Sequence, residues 1–250
     1  MSSRAGPSGR RTGRVALTVL ALGAFAVLAG LGVWQVKRLQ WKESLIAAID
    51  ERIASKPVAL AEIERRLADP DGIEYRPVTV SGTFDHAGEA YFFTTHKGRT
   101  GYYVYTPLML ADGRALFVNR GFVPYDNKDP ATRPQGQVEG EVTVTGLART
   151  AIAEKPSSLI PDNDLEKNIF YWKDLSDMAA LAGFGTDASV VRLFIDADDT
   201  PNPGGLPMGG VTIIDLPNNH LQYAITWFGL AAALAGVFGA WLWRERAQSP

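Results

Sequence analysis

The chain has 250 residues, no cysteine and a formal net charge of −2 at pH 7. The lack of cysteine excludes disulfides, thiolate metal sites and cysteine nucleophiles. Residues 37–219 contain 19 Lys and Arg against 26 Asp and Glu, a net charge of −7. This acidic balance argues against nucleic acid as a partner, because phosphates demand a basic surface.

The first predicted element is an apolar run near the amino terminus. Residues 15–34 contain no charge, and twenty residues at ~1.5 Å each span the ~30 Å hydrocarbon core of a bilayer. We therefore predict a transmembrane helix over residues 15–36. The alternative is a cleaved signal peptide with Ala24 and Ala26 at its processing site. The run exceeds the ~7 to 15 apolar residues of a secretory signal, which favours a retained helix.

Helical periodicity continues past this run through Ile49. A Ser-Lys-Pro sequence at residues 55–57 predicts an interruption, after which the proline opens a second short helix that reaches Leu67. A turn at residues 69–72 ends this helical part of the chain.

From Ile73 the hydrophobic period changes to two, with β-branched and aromatic residues between turn signals. This pattern predicts a meander of strands. The predicted strands cover residues 75–84, 89–95, 102–110, 116–122, 140–149, 190–196 and 211–216. Residues 111–114 predict a hairpin turn. One helix, capped by Asp174 and ended near Gly183, interrupts the strands, and residues 198–210 form a loop rich in proline and glycine.

A second apolar run, at residues 220–243, predicts another transmembrane helix. No Lys or Arg occurs from residue 193 to residue 243, whereas Arg244 and Arg246 follow at once. Basic residues are retained on the cytoplasmic side, so this asymmetry predicts a cytoplasmic carboxyl end. With two spans, the amino end must lie on the same side.

The predicted fold class is an α+β membrane protein. Two transmembrane helices flank a mostly antiparallel β-domain, a sheet or partly closed barrel, with minor helices. The tails at residues 1–14 and 244–250 lie in the cytoplasm, and the domain at residues 37–219 is extracytoplasmic. The short basic amino-terminal tail fits a bacterial inner-membrane protein, with a periplasmic domain, better than an organellar transit peptide.

Two of the three histidines, His86 and His96, lie ten residues apart around a predicted hairpin. They could hold a metal ion only if a third ligand such as Asp85 or Glu89 joined them. Surface histidines are the alternative interpretation. No HExxH, GxSxG, Walker or GxGxxG motif occurs in a suitable setting, although a catalyst recognised by geometry rather than spacing stays open.

The third histidine, His220, opens the second apolar run. Tyr223 and Trp227 follow at i+3 and i+7, which places the three side chains on one helix face near the outer membrane boundary. The alternative is an aromatic belt with His220 as its polar cap. A basic patch of Lys37, Arg38 and Lys42 follows the first run, and headgroup anchoring is the alternative for that patch.

Small residues line both apolar runs, and such strips allow close helix packing. They are Gly23, Ala26 and Gly30 in the first run and Gly229, Ala232, Gly236 and Ala240 in the second. We expect the two helices to pair through facing strips, or to pair with a third protein.

Three segments carry distinctive motifs: GVWQVKRLQWK at residues 32–42, LFVNRGFVP at residues 116–124 and PNNHLQYAITWFGLA at residues 217–231. In this order, with the first and last on the apolar runs, they resemble the surfeit locus protein one family of cytochrome c oxidase assembly factors. The resemblance covers residues 32–242. The segment before the predicted helix matches loosely, since Lys173 stands where an arginine is expected.

The resemblance implies assembly rather than catalysis. Members of this family help to mature subunit I of a haem-copper oxidase, and bacterial members are thought to bind haem a transiently and pass it on. His220 is then expected to ligate the haem iron. The other expected cofactor-binding residues are Tyr223, Trp227, Lys37, Arg38 and Lys42. The expected partners are subunit I of an aa3-type oxidase, the machinery of haem a synthesis and the lipid bilayer.

Two other classes of function compete with this one. A membrane-tethered sensor or solute-binding module would use the β-domain as its receptor, but the predicted cytoplasmic tails of 14 and 7 residues leave no room for an output domain. An anchored enzyme acting on haem would turn its ligand over, whereas a carrier would return it unchanged.

Overall fold

The computed structural model describes residues 7–67, 69–185, 189–212 and 216–247, apart from the side chains of residues 7–11, 70 and 71. The chain divides into two compact units. The first unit joins Met1–Ala48 to Asp215–Pro250, and the second unit is Ile49–Ile214. Long helices dominate the first unit, and β-strands dominate the second.

The described ranges contain five α-helices: α1 (Pro7–Ile53), α2 (Leu60–Glu64), α3 (Pro70–Ile73), α4 (Leu175–Leu181) and α5 (His220–Ala247). Short 3-10 helices lie at His86–Gly88, Tyr125–Asn127, Pro130–Thr132, Pro134–Gly136 and Pro203–Gly205. The long helices α1 and α5 contain windows with mean hydropathy of 2.3 and 1.7. By length and composition, both helices can cross a membrane.

The described residues of the second unit form seven strands: β1 (Val58–Ala59), β2 (Pro77–Phe84), β3 (Ala90–His96), β4 (Arg99–Met109), β5 (Ala115–Pro124), β6 (Glu141–Thr150) and β7 (Val190–Ala197). They form one sheet in the order β1-β2-β6-β7-β5-β4-β3, with an additional pairing of β2 with β4. Neighbours are antiparallel except for β1 with β2 and β5 with β7. The additional pairing closes β2, β6, β7, β5 and β4 into a barrel.

Barrel closure depends on a short contact at the end of β2, where Thr83 and Phe84 pair with Met109 and Leu108. Gly82 comes just before this contact. A Cβ at Gly82 would lie 2.4 Å from the Met109 carbonyl oxygen, so only glycine allows β2 and β4 to approach. The sequence predicted either a sheet or a partly closed barrel. The structure shows a closed barrel.

Apolar side chains fill the barrel interior and a second cluster beneath α4. Strand β5 contributes to both, because Leu116 and Val118 point into the barrel while Ala115 and Phe117 point toward α4. Side chains alternate between the two faces of a strand, so a strand buried on both faces is apolar at successive positions. This double burial explains the apolar run in LFVNRGFVP.

Six of the seven predicted strands are present near their predicted bounds. The prediction for residues 211–216 is wrong where it can be compared, because Val211 and Thr212 lie outside any strand and residues 213–215 lie outside the described residues. The Tyr103 hydroxyl donates to the Val211 carbonyl across 3.3 Å, so this apolar stretch contacts the sheet through a side chain instead.

Two predicted helix boundaries have different outcomes. The helix predicted to open at Pro57 starts later, because Val58 first pairs with Val78 of β2 in a parallel bridge. The cap predicted for α4 is confirmed. The Asp174 carboxylate accepts the backbone N–H groups of Ser176 and Asp177 across 2.9 and 3.2 Å, which satisfies donors that a helix start leaves unpaired.

Candidate functional site

In the first unit, α1 and α5 pack side by side in opposite directions. Gln35, late in α1, places its Oε1 2.7 Å from Nδ1 of His220, the first residue of α5. Arg14, early in α1, forms an ion pair with Glu245, near the end of α5. The two helices therefore form an antiparallel pair with a polar contact near each end.

Small residues form the apolar part of this contact. A Cβ at Gly32 would lie 2.6 Å from the Phe228 ring, which rests directly on the α1 backbone. Ala224 and Ala231 of α5 are only 2% and 4% exposed. Small residues let helices approach closely in this way, so a larger side chain at Gly32 would displace the Phe228 ring.

The small-residue strips expected from the sequence do not form this contact between α1 and α5. A Cβ at Gly23, Gly30, Gly229 or Gly236 would meet no described atom of the opposite helix within 4 Å. The expectation that the strips face each other is therefore wrong. At 100° per residue, Gly23 and Gly30 lie nearly opposite Gly32 on α1.

His220 has one ring nitrogen engaged and the other available. Nδ1 meets Gln35 Oε1, while no described residue forms a hydrogen bond with Nε2. The Gln35 side chain is buried, at 8% exposed. A neutral imidazole that donates from one nitrogen keeps a lone pair on the other, which can bind a metal ion. Sequence reasoning missed Gln35, although a polar residue inside a predicted span is itself a signal.

The aromatic neighbours of His220 follow it along α5. Trp227 is half-buried, whereas Tyr223 is 55% exposed. Their spacing keeps both on the side of α5 that carries His220. The structure therefore brings the three together on one helix side, with Tyr223 at its open edge.

The three basic residues predicted for the site lie on different sides of α1. Lys42 follows Gln35 by seven residues, so it lies on the same side, about 10 Å further along the axis. Lys37 follows by two residues and faces the opposite side. Arg38 is exposed, and its guanidinium lies 3.9 Å from the centroid of the Trp41 ring. Arg38 follows Gln35 by three residues, so Arg38 and Lys42, but not Lys37, lie on the side of α1 on which Gln35 meets His220.

The structure separates the two histidines of the second unit. His86 precedes β3, whereas His96 is the last residue of β3. The seven residues of this extended strand cover about 20 Å. His86 Nε2 contacts the Val138 carbonyl at 2.8 Å, while the His96 ring packs on Phe122. Among the described residues no three His, Asp or Glu side chains are placed to hold a metal ion. The hypothesis that His86 and His96 hold a metal ion together is therefore wrong.

The segment LFVNRGFVP places Arg120 in the buried interior of the second unit. Arg120 is 2% exposed, and its guanidinium donates to the Gly136 carbonyl. Nη1 lies 3.6 Å from Glu89 Oε1. The next residue, Gly121, has a φ of +125°, and a Cβ there would lie 1.9 Å from the Met208 carbonyl oxygen. Both residues of the motif therefore serve the packing of the barrel.

Glu89 is the carboxylate at the centre of this charge network, and it is 3% exposed. Its Oε2 accepts from Arg133 at 2.5 Å and from the Tyr91 hydroxyl at 2.9 Å. Burial alone would raise the pKa of Glu89, but the nearby His86 ring and the Arg133 guanidinium outweigh it and lower the pKa to about 2. One buried carboxylate therefore serves two buried guanidinium groups. A single charged residue within an apolar strand, as at Arg120, is the sequence signal for such a network.

A second buried network surrounds Asp196 of β7. Asn119 donates to Oδ1 at 2.9 Å, and Arg149 donates to Oδ2 at 2.7 Å. Burial alone would raise the pKa of Asp196, but the charges of Lys173 and Arg149 hold it below its ordinary value. The Lys173 ammonium also lies 5.5 Å from the centroid of the Tyr105 ring. Lys173, which stands where the family resemblance led us to expect an arginine, thus contributes charge to this network.

Fold and helix pair together define a membrane-anchored protein whose two apolar helices flank a closed β-barrel domain. The chain matches the model of the SURF1 family over residues 22–232. It is 42% identical to Surfeit locus protein 1 of Rattus norvegicus over 228 residues, which cover 83% of this chain and 70% of that protein.

Other relatives show the same extended similarity. The chain is 39% identical to Surfeit locus protein 1 of Homo sapiens over 224 residues, covering 82% of this chain and 70% of that protein. It is 34% identical to the SURF1-like protein of Drosophila melanogaster over 239 residues, covering 86% and 75%. The chain therefore belongs to the SURF1 family, as its three motifs indicate.

Proposed function

We propose that the chain is an assembly factor for an aa3-type cytochrome c oxidase, which binds haem a and aids its insertion into subunit I. Membership of the SURF1 family supports the assembly role. The observation that best supports haem binding is the arrangement of the His220 imidazole. Its Nδ1 lies against Gln35, and its Nε2 has no partner among the described residues. Neutral imidazole held through its other nitrogen is a common proximal ligand of haem iron.

The side chains near His220 suit a haem macrocycle. Tyr223 and Trp227 offer aromatic surface on the side of α5 that carries His220. Arg38 and Lys42 lie on the side of α1 that meets His220, so we assign the propionates to these two residues rather than to Lys37. Haem iron, when bound, supplies a metal centre that accepts the imidazole lone pair.

A carrier must also release its ligand. If His220 is the one protein ligand, it would hold haem less firmly than a pair of histidines would. The 55% exposure of Tyr223 leaves one edge of the site open. These features support a stoichiometric carrier rather than an enzyme, with subunit I and the haem a synthesis machinery as partners.

We further propose that the helices lie in a bacterial inner membrane, with both termini in the cytoplasm and residues 37–219 in the periplasm. Arg244 and Arg246 at the end of α5 support this orientation, because basic residues stay in the cytoplasm. Alkaline phosphatase fused at Asp112 should be active, and the same enzyme fused at Pro250 should be inactive. The reverse pattern would contradict the topology and the proposed function with it.

Deletion of the gene tests the proposed function. We expect aa3-type oxidase activity to fall several-fold while immunoblots show that the oxidase polypeptides are still made, because an assembly factor acts after synthesis. A plasmid copy of the wild-type gene should restore the activity. Unchanged oxidase activity in the deletion strain would refute the assembly role.

A further inference from the structure

Gln35 is a buried amide on an apolar helix. It lies within the predicted span at residues 15–36, and its side chain is 8% exposed. A polar group in a membrane span carries a large desolvation cost unless it has a hydrogen-bond partner. The partner that the structure shows is His220, with Gln35 Oε1 2.7 Å from Nδ1. The buried amide is therefore matched to one particular ring nitrogen.

We infer that Gln35 is a positioning residue that holds His220 as the Nδ1–H tautomer and so presents Nε2 to the haem iron. This inference rests on the proposed function and deepens it. An amide oxygen only accepts hydrogen bonds, so the imidazole nitrogen that it meets must carry the proton. The lone pair then lies on Nε2, the nitrogen for which the described residues offer no partner.

Helix packing keeps the pair in register. Gly32 lies three residues before Gln35, and a Cβ at Gly32 would lie 2.6 Å from the Phe228 ring. Phe228 itself lies about two turns after His220 on α5. This contact holds the backbones of α1 and α5 close together beside the Gln35–His220 pair. The interaction is thus preorganised in the haem-free protein, as a ligand-orienting contact needs to be.

The first test measures the imidazole tautomer in the haem-free, full-length protein in detergent. Protonated and unprotonated ring nitrogens have distinct shifts in 15N-histidine NMR spectra, and His220→Ala assigns the signals. We expect Nδ1–H in the wild type and a mixture with Nε2–H in Gln35→Leu. The matched control is Gln40→Leu, because Gln40 is exposed on the same helix and should leave the tautomer unchanged.

The second test measures haem a affinity and midpoint potential. Loss of an outer-shell partner typically costs ~10- to 100-fold in metal affinity, so Gln35→Leu should raise the Kd by that factor. Gln35→Glu should restore tight binding and lower the potential, because a carboxylate acceptor makes the imidazole a more basic ligand and stabilises ferric iron. A role in packing alone would not move the potential in this direction.

Three results would overturn the assignment. One is the Nε2–H tautomer in the wild type, and another is Gln35→Leu with the wild-type tautomer. The third is an equal Kd for Gln35→Leu and the wild type. A wild-type chain that binds no haem a would instead refute the proposed function, and the tautomer of the haem-free protein would still decide the role of Gln35.

Discussion

The His220→Ala variant, purified in detergent from cells that make haem a, should lose the Soret band of bound haem. His220 belongs to the first unit, whereas the other two histidines, His86 and His96, belong to the second. Its Nε2 has no hydrogen-bond partner among the described residues and is the nitrogen available to iron. Alanine removes this ligand, so haem per polypeptide should fall to background.

Matched variants separate ligation from general damage. His96→Ala is the closer control, because the His86 ring contacts the buried Glu89 network at 3.6 Å. His96→Ala should retain the haem content of the wild type. Lys42→Ala should weaken haem binding more than Lys37→Ala, since Lys42 lies on the side of α1 that meets His220 and Lys37 lies on the opposite side. Wild-type haem content in His220→Ala would refute ligation and leave an aromatic belt as the role of this segment.

The Glu89→Ala variant should lower the free energy of unfolding by about 3–5 kcal/mol, the usual effect of removing one partner of a buried ion pair. The side chains of Arg120 and Arg133 are 2% and 1% exposed, and both would lose their carboxylate. Chemical unfolding of the full-length protein, followed by near-ultraviolet circular dichroism, measures the change. Glu141→Ala is the control, because Glu141 is exposed at the start of β6. Equal losses in the two variants would contradict the role of the network.

The lowered pKa of Glu89 also predicts how the stability of the protein changes in acid. The pKa of Glu89 is about 2 in the folded protein, against an ordinary value of 4.5. The folded state therefore binds this proton less readily than the unfolded state, and the stabilisation is complete above pH ~4.5 and lost as pH falls toward ~2. The pKa difference corresponds to about 3 kcal/mol. Glu89→Ala should accordingly lose less stability than the wild type between pH 5 and pH 2.

Local periodicity predicts most elements of this fold but not the closure of its barrel. The strands that become β2 and β4 alternate in sequence as any half-buried strand does, and period two carries no information about which strands meet. Their pairing depends on the backbone contact that Gly82 allows beside Met109. A glycine in a strand signals such an approach without naming the partner.

In the helix pair, too, contacts within one helix are predictable from the sequence, whereas contacts between the two helices are not. His220, Tyr223 and Trp227 are predicted together because they lie within eight residues of one helix. Gln35 contacts His220 across 185 positions of the chain, so no local pattern joins the two residues. The small-residue strips were misassigned because several glycine registers fit a close contact, and only Phe228 identifies Gly32 as the one used.

The haem a content of the residual oxidase in the deletion strain tests haem delivery most directly. Oxidase purified from that strain should contain less haem a per subunit I polypeptide than oxidase from the wild type. A plasmid that encodes the wild-type chain should restore the ratio, and a plasmid that encodes His220→Ala should not. A wild-type ratio of haem a to subunit I in the deletion strain would contradict delivery of haem by this protein.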